Sequence, residues 1–91
     1  VTKNIIRYPI CIHYEDDTAY GVTIPDFPGC FTSGDTLGEA INNVQEAVEL
    51  FLDPGDPIPS PTVDLTTLMS DPLYLEGKWY FIYIDLSFHK S

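Results

Sequence analysis

The stretch that decides the fold is TLGEAINNVQEAVELFLDPG, residues 36–55. Thr36, followed three residues later by Glu39, has the form of a capping box, with Thr36 as N-cap and Glu39 reaching back. Leu37, Ala40, Ile41, Val44, Ala47, Val48 and Phe51 then recur at helical spacing and predict one apolar stripe. Glu39, Asn42, Asn43, Gln45, Glu46 and Glu49 fill the opposite face. Pro54-Gly55 cannot continue a helix, so it ends at Leu52-Asp53. At ~1.5 Å per residue such a helix is about 24 Å long, enough to cross a small sheet.

Toward the N-terminus the period changes from helical to two. Ile6, Tyr8, Ile10, Ile12 and Tyr14 alternate with Arg7, Pro9, Cys11, His13 and Glu15, which predicts a strand over residues 5–15. Pro9 has no amide proton, so its nitrogen must point away from a neighbouring strand or sit at a bulge. Residues 15–18 are a polar turn, and Tyr20 to Ile24 is a second strand, making a hairpin. Pro25-Asp26-Phe27-Pro28-Gly29 breaks it with a tight loop. Residues 30–33 form a short third strand.

Beyond the helix, residues 53–61 hold four prolines and read as an extended loop. Residues 64–69 predict a short helix capped by Asp64 and broken at Asp71-Pro72. Residues 78–88 are apolar on both faces, as a central or doubly covered strand would be. The expected fold class is α+β, in the order β-β-β-α-β, with a four-stranded sheet ordered 3-2-1-4 and one main helix on one face. The handedness of crossovers leads us to expect the last strand parallel to the first. In that order a full strand separates Cys11 from Cys30. Their thiols are therefore expected to stay free, since strands one removed lie about 9–10 Å apart.

With 91 residues the chain makes one domain. A domain of this size buries roughly 60–65% of its unfolded surface, so its stability leans on a partner or a second copy. Fourteen acidic residues against four basic ones give a net charge of −10. That surface repels phosphate backbones and anionic membranes and suits a basic protein partner, although acidity also serves plain solubility. Two cysteines are too few for a disulfide scaffold, and no apolar run approaches a membrane span. A soluble cytoplasmic protein is the default expectation.

Four segments carry a family resemblance. They are Tyr8-Pro9-Ile10 in the first strand, Gly21-Val22-Thr23-Ile24-Pro25-Asp26-Phe27-Pro28-Gly29-Cys30, the helix entry from Thr32 to Ala40, and Ile58-Pro59-Ser60-Pro61. Taken in order, they resemble the HicB antitoxin family across most of the chain. The resemblance implies a partial RNase H-like fold and a type II toxin–antitoxin role. The implied partner is a HicA toxin, a small basic ribonuclease that cleaves mRNA through a histidine and whose active site the antitoxin masks. Relatives usually continue into a promoter-binding domain. On that pattern residues 1–88 form the toxin-binding domain and residues 89–91 a tail or the start of a linker. This stretch alone is then not expected to bind DNA. The alternative is an orphan member that binds another protein or itself.

An RNase H-like hydrolase would need a carboxylate in the first strand for its metal ions. Tyr8 to Tyr14 offers none. Asp85 is alone in the last strand, and Glu39, Glu46 and Glu49 belong to the helix. His13 and Cys11 on one strand are too few for zinc, and no nucleophile constellation or phosphate loop is readable. The chain is therefore expected to be no enzyme and to take no metal, cofactor or small molecule. The expected partner-binding residues are Asp26, Phe27, Glu39, Glu46, Glu49, Trp79, Phe81 and Tyr83. Phe27 is either a rigid anchor for a partner or part of the domain's own core. Trp79, Phe81 and Tyr83 form an apolar face that a toxin, a second copy or residues 64–75 would cover.

Overall fold

A hairpin forms first along the chain: β1 (Ile5–Glu15) pairs antiparallel with β2 (Ala19–Thr23). The computed structural model describes residues 3–15 and 19–89, so the tip of the polar turn at residues 16–18 lies outside the described residues. β3 (Phe31–Gly34) adds to β2, and β4 (Lys78–Asp85) adds to β1, giving the order β3-β2-β1-β4. The main helix, α1 (Leu37–Phe51), matches the expected span. The short helix α2 (Thr66–Met69) starts later than expected. Asp64 still takes the Thr66 amide at 2.9 Å, but from two residues ahead rather than as the cap. A 3₁₀ turn at Pro72–Tyr74 was not legible beforehand; the Asp71 carboxylate caps it by accepting from the Leu73 amide.

The expected strand order is observed, but the expected direction is not: β4 runs antiparallel to β1, from Ile12↔Lys78 to Ile5↔Asp85. The crossover rule applies where a helix leads directly into the next strand. Here residues 52–77 intervene, and at up to ~3.3 Å per residue they can carry the chain to either end of β1. They are tied down on the way. The Tyr8 hydroxyl donates to the Pro59 carbonyl at 2.6 Å, and the Thr62 amide donates to Asp26 at 2.8 Å. Tyr8 belongs to the helix-side core, whereas Gly77 presses on Cys11 and His13 of the other face. The segment thus wraps the sheet from one face to the other and delivers β4 at the far end of β1.

The core lies between α1 and one sheet face. Tyr8, Ile10, Ile12, Val22, Ile24 and Ile84 pack under Ala40, Val44 and Val48. Pro9, though in an inner strand, breaks no ladder. The Leu86 amide donates to the Asn4 carbonyl, so even-numbered residues of β1 face β4 and odd-numbered ones face β2. Pro9 lies just beyond Cys11↔Thr23, the last pair with β2. Both cysteines are buried and free. Cys30 is in the helix-side core and Cys11 on the other face, which separates them further than strand order alone.

Two glycines test the packing of α1. A Cβ at Gly34 would run into the backbone of Glu39 and Ala40, where neither strand nor helix can yield. One at Gly38, on the exposed helix surface, meets nothing within 4 Å. Gly34→Ala is expected to lower the unfolding free energy by about 2–3 kcal/mol. Gly38→Ala should raise it by up to ~1 kcal/mol. Urea unfolding of the two variants checks both signs.

Candidate protein-docking site

The loop that braces the functional surface is built from two of the sequence motifs in contact. Phe27 donates its amide to Ile24, and Cys30 donates to Phe27, closing successive turns at 3.0 and 2.9 Å. Gly29 holds φ at +92°, a conformation that favours glycine. Phe27 itself is 1% exposed, edge-on to Tyr8 at 4.8 Å and to Phe51 at 6.3 Å. Of its two sequence readings, the core one is what the geometry realises. Asp26 is half-buried and spends both carboxylate oxygens on Thr62, latching the proline loop. Burial, with Asp26 nearby, pushes the Tyr8 hydroxyl up to about 12, so it stays a donor to Pro59.

The remaining expected residues fall on two separate surfaces. Glu39, Glu46 and Glu49 are exposed on α1. Trp79, Phe81 and Tyr83 point from β4 to the opposite face of the sheet, as their pairing with Cys11, Pro9 and Arg7 requires. Tyr74 packs on Trp79 at 5.2 Å, and the Arg7 guanidinium lies 4.8 Å over Phe81. Residues 64–75 therefore cover only part of this face. Phe81 remains 39% exposed and Tyr83 71%. β4 is an edge strand with one face partly open, not a central or doubly covered one.

A groove of about 460 Å³ runs between α1 and β3. Asn43, Glu46, Ala47 and Leu50 line its helix side, with Cys30 and Thr32 opposite. The Asn43 side-chain amide donates to the Ser33 carbonyl at 2.8 Å, fixing helix to strand. Leu50 is 78% exposed beside Glu46 and Glu49. Sequence reasoning missed it, although a signal was present: Leu50 is a large apolar residue off the helix's apolar stripe. Charge is also segregated. Every acidic residue except Asp85 lies between positions 8 and 77, and all four basic residues lie outside that stretch.

Burial pushes the Cys11 thiol up to about 11 and raises Cys30, so both are protonated near neutral pH. Asp85 bonds the Ser87 side chain and amide, which lowers its carboxyl. Among the described residues no three His, Cys, Asp or Glu side chains gather as a metal site. No helix among them is long and apolar enough to cross a membrane. His89 is bonded to Leu86 through its amide and contacts the Asp56 carbonyl, so it belongs to the folded body.

The domain is a small sheet-and-helix fold with a groove on one side, lined by Glu46 and Leu50, and an aromatic strand edge on the other. Residues 8–91 match the family described as HicB-like antitoxin of bacterial toxin–antitoxin system, and the chain belongs to that family. The N-terminal domain of the Burkholderia pseudomallei antitoxin HicB superposes with a TM-score of 0.70 at 33% identity, over 89% of this chain and all of that one. A chain of the HicA3–HicB3 toxin–antitoxin complex gives 0.65 at 34% identity, over 88% of this chain and 99% of that one. A 14.9 kDa protein of Haemophilus phage HP1, from its rep-hol intergenic region, is 50% identical over 46 residues. Those residues are 50% of this chain and 34% of the phage protein, so the match spans about a third of that relative's length.

Proposed function

We propose that this domain is the toxin-masking part of an antitoxin and that its partner is a small basic HicA-like ribonuclease. The observation that carries this reading is the α1–β3 groove: an exposed Leu50 one turn from Glu46, in a stretch of chain with no Lys or Arg. Such a surface attracts a cationic protein over a Debye length and then offers an apolar anchor at contact. Family membership and the HicA3–HicB3 neighbour support the choice of partner. Inhibition is by occlusion, not by chemistry of this chain, whose carboxylates and thiols are spread out or engaged.

The test is an RNA cleavage assay with a basic HicA-like ribonuclease, sought first in the gene neighbouring that of this chain. Cleavage is expected to stop near equimolar antitoxin. The association rate should fall steeply between 50 and 500 mM salt while the dissociation rate changes little. Undiminished cleavage at excess antitoxin would sink the reading.

A further inference from the structure

The two polar side chains Asn43 and Gln45 sit two residues apart on α1 and so leave the helix about 200° apart. They reach opposite margins of the sheet. Asn43 caps the outward Ser33 carbonyl of β3. Gln45 receives the Asp85 amide at 2.9 Å and donates to the Asp85 carbonyl at 2.8 Å, imitating a strand neighbour at the end of β4. Even-numbered residues of β4 are bonded to β1, so Trp79, Phe81 and Tyr83 turn their amides and carbonyls outward, like Asp85. Among the described residues none of these six groups has a partner. The helix blunts both edges at one point each and leaves the middle of the longer edge open.

We propose that this open edge pairs with the same edge of a second copy, joining two sheets antiparallel through β4. Hydrogen-bonded pairing requires residues whose main-chain groups both point outward. Gln45 stops it at Asp85. The register that uses every free group sets Phe81 against Phe81 of the second copy and Trp79 against its Tyr83. A two-fold interface needs such self-complementarity, and here it places aromatic side chains opposite one another on one face. Charge selects the same edge. Arg7 lies over Phe81, Lys78 is on β4 and Lys3 is near Asp85, so the charges around this edge, Asp85 and Glu76 included, are mixed, and two copies of a −10 chain repel less here than across α1. Three free positions make a small interface, and the dimer is of the weak, transient class, with a dissociation constant on the order of 100 μM.

The 91-residue chain, without toxin, is examined by sedimentation between 10 μM and 1 mM, and by amide exchange over the same range. We expect a monomer–dimer shift that strengthens with salt, the reverse of toxin binding, because like charges are being screened. Exchange at the Trp79, Phe81 and Tyr83 amides should slow about fourfold as concentration rises, since at that dissociation constant the monomer falls from about 85% of the chains at 10 μM to about 20% at 1 mM. Phe81→Lys and, independently, Tyr83→Lys should keep the chain monomeric at 1 mM, while Phe31→Lys at the other margin leaves the dimer intact. A monomer throughout, a dimer whose three amides exchange as in the monomer, or a dimer indifferent to both β4 variants overturns the proposal.

Discussion

Phe27→Ala is expected to lower the unfolding free energy by about 3–5 kcal/mol, against a total of about 5–15 kcal/mol for a domain of this kind. The ring is enclosed by Tyr8 and Phe51, so its removal leaves a cavity between β1, the loop and the end of α1. The loop cannot collapse freely into that space, since Gly29 and the Asp26–Thr62 latch hold its shape. The urea midpoint should fall and part of the population should be unfolded in buffer. Phe31→Ala, at 66% exposure, should change stability by less than ~0.5 kcal/mol. A stable Phe27→Ala chain that had lost toxin binding would instead make Phe27 a partner anchor.

Glu46→Lys with Glu49→Lys and Leu50→Ala is expected to weaken toxin binding on the order of 100-fold, which is about 2.7 kcal/mol. The two reversals act on approach, turning attraction into repulsion; the Leu50 truncation acts on the bound state. All three side chains are exposed, and only Glu49 makes a side-chain bond, from Gln45 at 2.8 Å, so the fold should persist. Calorimetry at 50 mM and 500 mM salt checks this. The charge part of the loss should shrink at the higher salt, leaving the Leu50 part. Tyr83→Ala, on the far face, should leave affinity unchanged. If Tyr83→Ala weakens binding and the triple variant does not, the toxin docks on the open sheet face instead.

Local pattern determined much of this protein. The period-two alternation of β1, the helical stripe from Leu37 to Phe51 and the Thr36 cap, which accepts from the Glu39 amide at 3.1 Å, are short-range properties of side chains and were readable as such. So were the sheet order and the family motifs. What those motifs do was decided only in three dimensions. Asp26 and Thr62 lie 36 residues apart, and Tyr8 and Pro59 51 apart, so no local rule pairs them. The direction of β4 was also beyond reach, because residues 52–77 are long enough for either outcome and their tethers to Tyr8 and Asp26 chose one. The expected binding residues were selected by type, as acidic or aromatic. Whether each is covered depends on what folds back over it. Phe27 found the core, Trp79 found Tyr74, and Leu50, off the apolar stripe, was left in solvent one turn from Glu46.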